Sequence, residues 1–249
     1  MLLDHKVAVI YGAGGSIGGA VARAFAREGA QVFLAGRTQA KLDTVAEAIR
    51  ANGGVAHTAV VDALDAPTVD AYVDSVVEQA GRIDISFNLI AYGDVQKPLN
   101  ELSVEAFLQP ISTAMRTHFL TTNAASRHMI KRGSGVILAF GGGGPQTLPG
   151  LGGFKVALDA VESLRRQWAC ELGRHGIRVV TLKTGGVPES IDDSFAEKAE
   201  ITASIEQETL LGRAATLDDV GNVAAFVASD LARTLTSTEV NISCGALVD

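Results

Sequence analysis

The sequence predicts an α/β fold in which a doubly wound parallel sheet of about seven strands carries helices on both faces. Short apolar segments alternate with longer segments whose apolar residues recur with the 3.6-residue period of a helix. Most of the short segments are continuously apolar, which is typical of strands that are buried on both faces of a sheet. Because strands and helices alternate along the chain, the sheet is expected to be parallel and Rossmann-like.

Turn residues bound these elements in chain order. Gly29, Gly53-Gly54 and Gly81 end the first three helices, as glycine often does. The predicted strands are 7–11, 31–36, 58–61, 83–89, 136–140, 178–182 and 239–243. The predicted helices start near residue 17 and then cover 40–52, 68–80, 152–173 and 218–229, and more than one helix is expected within 103–132. No linker or long repeat interrupts the chain, so residues 1–249 are expected to form a single domain.

Composition and charge argue against several classes of function. The chain has 249 residues, of which 47% are hydrophobic, and a net charge of −7. An acidic chain without a cluster of lysines and arginines is not expected to bind nucleic acid or an anionic membrane. Cys170 and Cys244 lie far apart and the five histidines lack metal-ligand spacing, so we expect no metal site. The charged N-terminus and the lack of an apolar run of about 18 residues predict a cytoplasmic protein.

A glycine-rich turn joins the first strand to the first helix. Such a turn lets backbone N–H groups approach a pyrophosphate, and the N-terminus of the helix adds a partial positive charge. The alternative is a tight turn that binds no ligand. The candidate pyrophosphate-binding residues are Gly12, Gly14, Gly15, Ser16, Ile17 and Gly18.

The end of the second strand indicates which dinucleotide would bind. Sites that prefer NAD place an acidic residue here to hold the ribose 2′-hydroxyl, whereas an arginine suits the 2′-phosphate of NADP. This strand ends in Gly36-Arg37-Thr38, and no Asp or Glu occurs between Gln31 and Gln39. We therefore expect NADP(H) as the cofactor, with Arg37 and Thr38 at its 2′-phosphate. The alternative is that Arg37 is a surface residue without a ligand.

Asp62 closes the third strand, where its carboxylate would meet the adenine amino group. A cap of the turn formed by residues 62–65 is an equally good interpretation.

Several motifs resemble the short-chain dehydrogenase/reductase family in order and spacing over nearly the whole chain. Gly12–Gly18 is similar to the family's TGxxxGxG turn, with Tyr11 in place of the threonine and Ser16 in place of the middle glycine. Asn88-Leu89-Ile90-Ala91 stands where the family has NNAG, and Asp62 falls on its adenine-contacting acid. Later matches are the segments 149–151, 160–164, 171–179, 211–213 and 239–241.

The resemblance implies an oxidoreductase that acts on a small molecule. It also implies a substrate lid within about residues 185–212 and assembly as a homodimer or homotetramer. Further residues expected at the dinucleotide are Ala63, Asn88, Ile90, Thr184 and Gly185.

The same resemblance places the family's catalytic asparagine, serine, tyrosine and lysine on residues that cannot replace them. An alignment without gaps puts Ala114, Gly141 (or Gly142), Phe154 and Leu158 at these positions. The conclusion does not depend on the register for two of them. No tyrosine follows Tyr92, and no serine occurs between Ser134 and Ser163. In the enoyl-reductase branch the tyrosine would fall on Leu151, which is no better.

Three side chains are candidate substitutes. Tyr92 follows the fourth strand at the edge where doubly wound sheets bind ligands, although it could simply wall a pocket. His118 lies one helical turn after Ala114, although a packed histidine is the commoner case. Lys155 is offset by about 100° from a lysine at the position of Leu158, and an ion pair with Asp159 is its alternative. Gln146, Thr147 and the glycine run 141–144 could also contact a substrate.

Three functions remain open at this point. The first is an NADP(H)-dependent reductase with non-standard catalytic residues, acting on an imine, an iminium ion or a conjugated C=C bond. The second is a non-catalytic NADP(H)-binding protein, either a sensor or a partner subunit. The third is a non-redox enzyme on the same scaffold.

Overall fold

The computed structural model describes residues 1–142 and 147–248. They form a seven-stranded sheet in the order β3-β2-β1-β4-β5-β6-β7, and every neighbouring pair is parallel. This confirms the predicted fold class. The strands are β1 (Val7–Tyr11), β2 (Gln31–Gly36), β3 (Val55–Val60), β4 (Ile85–Asn88), β5 (Gly135–Phe140), β6 (Ile177–Lys183) and β7 (Thr238–Asn241).

Seven α-helices in the described part of the chain flank the sheet. They are α1 (Ser16–Arg27), α2 (Gln39–Ala51), α3 (Ala66–Ala80), α4 (Val104–Arg132), α5 (Gly152–Leu172), α6 (Lys198–Glu208) and α7 (Leu217–Ala228). Within residues 1–142 and 147–248, no helix combines the length and the apolar character needed to cross a bilayer.

The core has two layers because successive strand residues point to opposite faces of the sheet. Ala8 and Ile10 of β1 pack with α1, α2 and α7 on one face. Val9 and Tyr11 of the same strand pack with α3, α4 and α5 on the other. Every residue of β1 is therefore buried, which explains the continuous apolar run in the sequence.

Strands β1 and β4 are neighbours in the middle of the sheet. The strand order runs from β1 to β3 on one side of this pair and from β4 to β7 on the other, so it reverses direction between them. Doubly wound sheets bind ligands outside the carboxyl ends of their strands at such a point. The glycine turn after β1 and the segment after β4 meet there. A Cβ on Gly12 would lie 2.5 Å from the carbonyl oxygen of Leu89, and the φ of Gly12 is +77°.

Several elements differ in their bounds from the sequence prediction, and β4, for example, covers Ile85–Asn88 in place of the predicted 83–89. Strand β3 begins at Val55, three residues earlier than predicted, and its ends are exposed because it lies at the edge of the sheet. Helix α4 is one continuous element of 29 residues that passes through Pro110, whereas the sequence predicted more than one helix within 103–132. Polar residues in an edge strand such as β3, and a proline near the start of a helix such as α4, both weaken the hydrophobic periodicity on which the prediction depends.

Candidate cofactor site and active site

A cavity of about 450 Å³ opens at the carboxyl ends of the central strands. Its wall combines the glycine turn after β1, the end of β2, the turn after β3, the segment after β4 and one face of α4. The sequence-predicted residues that line it are Gly12, Gly14, Gly15, Arg37, Thr38, Asp62, Ala63, Ile90 and Tyr92. Most of the predicted cofactor residues are thus brought together in one place.

The glycine turn is shaped so that side chains would obstruct it. A Cβ on Gly18 would collide with the carbonyl oxygen of Gly12, and a Cβ on Gly14 would lie 2.9 Å from the Cβ of Lys41. Helix α1 begins at Ser16 after Gly15, and no side chain caps its N-terminus. Its first N–H groups therefore remain available to an anion, and the open turn fits a pyrophosphate. Ser16 and Ile17 supply the first residues of that helix.

Two cations lie where the cavity borders the end of β2 and the start of α2. Arg37 and Lys41 both line it and are both exposed. Neither makes a salt bridge with a carboxylate of residues 1–142 or 147–248. Sequence reasoning missed Lys41. Its spacing of four residues from Arg37, across the start of α2, is the signal that could have found it.

Asp62 caps the turn after β3, as one of its two sequence interpretations predicted, and its contact with adenine stays a prediction. Its Oδ1 accepts a hydrogen bond from the backbone N–H of Leu64 at 3.0 Å, and the residue also lines the cavity. Asp65, not Asp62, caps helix α3 by accepting from the N–H of Thr68.

Asn88 is buried and holds the end of β4 in place. Its Oδ1 accepts from the N–H of Ile90 at 3.0 Å, and its Nδ2 donates to Thr121 at 3.4 Å. This leaves Ile90 on the cavity wall. Thr184 and Gly185 follow β6 and are not among the residues that line the cavity. A Cβ on Gly185 would lie 2.6 Å from the Cβ of Ala246, so the lack of a side chain at Gly185 leaves room for the C-terminal segment to pack there.

The four residues aligned with the family's catalytic side chains do come together in space. Ala114 is fully buried in an apolar cluster with Tyr92, and Phe154 and Leu158 pack against this cluster. Gly141 follows β5 and borders it. The arrangement is the one expected of the alignment, but these four residues contribute no titratable group.

Gly141 could not be replaced by serine without a rearrangement. Its φ of +112° is a conformation that L-residues rarely adopt. A Cβ there would also lie 2.7 Å from Cδ2 of Leu158. The remainder of the predicted glycine run, Gly143 and Gly144, and the candidate Gln146 lie outside the described residues. Thr147 is exposed.

Two of the candidate substitutes, Tyr92 and His118, are in direct contact. The Tyr92 hydroxyl lies 3.0 Å from Nε2 of His118, and both residues are 5% exposed. Burial lowers the pKa of His118 to about 4. Burial, and secondarily the negative charge of Glu162, raise the pKa of Tyr92 above its usual range. The pair is therefore a neutral phenol beside a neutral imidazole at pH 7.

Lys155 has a different environment. Its Nζ lies 2.5 Å from Oδ2 of Asp159, one helical turn further along α5. The ion pair foreseen as the alternative is thus present.

The comparisons with known proteins agree with this geometry. The sequence model of the family described as "Enoyl-(Acyl carrier protein) reductase" matches residues 12–246. An uncharacterized oxidoreductase of Methylorubrum extorquens is 32% identical over 98% of both chains. Gluconate 5-dehydrogenase of Gluconobacter oxydans is 31% identical over 91% of this chain and 89% of its own. A short-chain type dehydrogenase/reductase from Mycobacterium ulcerans has a similar structure, with a TM-score of 0.91, 25% identity and coverage of 99% and 91%.

This chain belongs to the short-chain dehydrogenase/reductase family. It is an oxidoreductase of that type, and the fold is one that binds a nicotinamide cofactor.

Behind the active site, this short-chain dehydrogenase/reductase buries charged groups that sequence reasoning did not predict. Nε of Arg165 donates to Glu162 at 2.8 Å, and Nζ of Lys183 lies 3.0 Å from Glu239. Burial and the neighbouring Glu239 carboxyl raise the pKa of Glu162. Such buried charges could have been found in the sequence as charged residues at positions where the helix or strand periodicity calls for an apolar residue.

Proposed function

We propose that the protein is an NADP(H)-dependent reductase that does not use the family's asparagine, serine, tyrosine and lysine. The observation that carries this proposal is the apolar cluster in which Ala114, Phe154 and Leu158 meet beside Gly141. The cofactor turn is open, whereas the positions that would move protons hold hydrocarbon side chains. When bound, the reduced nicotinamide supplies a hydride. Reactions that need little proton transfer fit such a site.

The preference for NADP(H) is supported by charge. The 2′-phosphate carries about two negative charges at neutral pH. Arg37 and Lys41 both border the cavity, and Thr38 adds a hydroxyl at the start of α2. Because β2 ends without an acidic residue, nothing at that strand end would repel the phosphate.

Substrates with an imine, an iminium ion or a conjugated C=C bond suit the remaining chemistry. An iminium ion already carries the positive charge that a carbonyl gains only by protonation. A conjugated C=C bond accepts a hydride at carbon, and its proton follows from a weaker donor. The hydrocarbon side chains of Phe154 and Leu158 favour an apolar substrate over a sugar.

A non-catalytic NADP(H)-binding protein is the second candidate. The observation that favours it is that the glycine turn is open to a pyrophosphate, whereas the backbone at Gly141 has a φ of +112°, a conformation unsuited to serine. Consumption of NADPH in the presence of a substrate would exclude this candidate.

Titration of the purified protein with NADPH and with NADH, followed by nicotinamide fluorescence, tests the proposal. We expect NADPH to bind at least about tenfold more tightly, which corresponds to about 1.4 kcal/mol. Equal affinities would refute the NADP(H) preference. Binding of neither cofactor would refute the reductase and the non-catalytic candidate together.

We also propose that residues 1–249 act as one domain with a lid within 185–212. Helix α6 lies in this segment and buries none of its residues. Hydrogen bonds from Ser194 chiefly lower the pKa of Asp192, and the positive charges of Lys198 and Lys41 make smaller contributions. Homodimer or homotetramer formation remains part of the proposal, and the mass measured by light scattering would test it.

A further inference from the structure

The geometry points to Tyr92 as the group that donates a hydrogen bond and a proton to the substrate, in place of the tyrosine that the family has at Phe154. His118 is the residue that positions the Tyr92 hydroxyl. This inference rests on the proposed reductase function and names the proton donor of that same site.

Tyr92 lies close to the positions of the family's serine and tyrosine. It follows β4 by four residues, at the carboxyl edge of the sheet. Its ring centroid lies 6.0 Å from that of Phe154. Its hydroxyl lies 3.9 Å from the place where a Cβ of Gly141 would be. The phenol therefore reaches the space between the positions of the family's serine and tyrosine, although it comes from a different element.

The Tyr92 hydroxyl has a proton that a substrate could accept. A phenol donates one hydrogen bond and accepts up to two. In the tautomer that carries its proton on Nε2, His118 donates to the Tyr92 oxygen at 3.0 Å. Among the residues that the structure describes, the phenol proton then has only a long contact, 3.5 Å, with the carbonyl oxygen of Phe140. A substrate oxygen offers it a shorter and stronger bond.

The charge state agrees with a donor role. The neutral His118 cannot acidify the phenol in the way that the family's lysine does. The burial that raises the pKa of Tyr92, assisted by Glu162 on α5, keeps its proton in place at working pH. A protonated phenol can donate a hydrogen bond and a proton in a reduction. Because its raised pKa makes it a weaker acid, the transfer depends on the negative charge that hydride addition places on the substrate oxygen. The protonated phenol is poorly suited to alcohol oxidation, in which a base must remove a proton.

In the reduction of an enone, a hydride adds to the β-carbon, and the C=C electron pair shifts so that the carbonyl oxygen gains negative charge. The O–H bond of Tyr92 breaks as this oxygen takes the proton, and water later reprotonates the phenolate. The enol then becomes the saturated ketone in solution. An N-alkylated iminium ion needs no proton, because hydride addition alone gives the neutral amine.

This difference between the two substrates supplies the test. We would assay NADPH oxidation with 2-cyclohexen-1-one and with N-methyl-3,4-dihydroisoquinolinium. In Tyr92→Phe we expect kcat for the enone to fall about 10²–10⁴-fold, the range of general acid catalysis, and kcat for the iminium ion to change far less. Tyr72→Phe is the matched control, since it also removes a buried hydroxyl but lies on α3.

His118 is tested as a positioning residue by rescue. His118→Leu should lower the enone kcat and leave the iminium kcat nearly constant. His118→Gln, whose amide N–H can replace Nε2–H, should restore most of the lost enone rate. Equal losses in both variants would show that His118 acts only in packing.

A measurement without turnover separates the inference from the proposed function. The chain has three tyrosines, so labelling with ¹³C at Cζ gives three NMR signals, and Tyr92→Phe identifies one. With NADP⁺ present, 2-cyclohexen-1-one should shift the Tyr92 signal and leave those of Tyr11 and Tyr72. A shift without any NADPH oxidation would refute the proposed function but support the Tyr92 contact.

Two results would overturn the inference. The first is a Tyr92 signal that the enone does not move. The second is a Tyr92→Phe variant that reduces the enone as fast as the wild type, or that loses enone and iminium reduction to the same degree.

Discussion

Replacement of Arg37 by alanine should weaken NADPH binding and leave NADH binding almost unchanged. The guanidinium borders the cavity, is exposed and makes no salt bridge with the described carboxylates, so its removal does not release a buried charge. The two cofactors differ only in the 2′-phosphate. A large selective effect is therefore expected only if Arg37 contacts this group.

The magnitude follows from the exposure of the site. In water, two unit charges about 4 Å apart attract by about 1 kcal/mol, and the phosphate carries about two charges. Hydrogen bonds to charged groups contribute about 1.5–3 kcal/mol. The Coulomb attraction and the hydrogen bonds each give an estimate of about 2 kcal/mol for the contribution of Arg37. The Kd for NADPH should therefore rise about 30-fold in Arg37→Ala. The loss should shrink as salt screens the exposed pair.

Fluorescence titration with both cofactors at two salt concentrations measures these quantities. Arg233→Ala is the control, because it removes an exposed positive charge near the amino ends of the strands, away from the cofactor. The reasoning is refuted if NADPH and NADH affinities fall in parallel, or if Arg233→Ala has the same effect as Arg37→Ala.

Three further predictions concern stability, each measured by urea denaturation. His118 has a pKa of about 4 when folded against an ordinary 6.5, so its stabilisation is full above about pH 6.5 and declines toward pH 4. His118→Gln should therefore lose about 3 kcal/mol less than the wild type between pH 7 and 4, and parallel losses would contradict this. Gly141→Ala should cost about 1–3 kcal/mol because of its φ and its contact with Leu158; an unchanged midpoint would argue against strain there. Asp84→Asn should cost about 3 kcal/mol, since the buried carboxylate accepts from the N–H of Val7 and pairs with two arginines, whereas Asp230→Asn at an exposed pair should cost under about 1 kcal/mol. Similar costs for the two aspartates would show that burial of the pair is unimportant.

Much of the cofactor side could be predicted before the structure. The spacing of Gly12, Gly14 and Gly18 after an apolar strand is local, and the residues that need this conformation are adjacent in sequence. Arg37 was found because the end of β2 occupies a fixed place in every fold of this type. Lys41 was missed because a lysine on an amphipathic helix ordinarily indicates only a solvent-exposed face.

The active site was predicted only in part. That no tyrosine follows Tyr92 is a property of the sequence alone, and it holds for any fold and any register. That Tyr92 and His118 touch is not, because they are 26 residues apart and lie on different elements. No periodicity or spacing relates a loop after one strand to the middle of the following helix.

The sequence by itself determined the fold class, the glycine turn and the fact that no tyrosine follows Tyr92. These depend on residue types and on periods of two to four residues, which are set by backbone geometry. The tertiary structure alone decided which polar groups meet. It placed the phenol of Tyr92 against the imidazole of His118 and buried Glu162 with Arg165, because long-range packing brings α4, α5 and β4 together. The pKa values of these groups follow from that burial, and burial is a property of the packed chain.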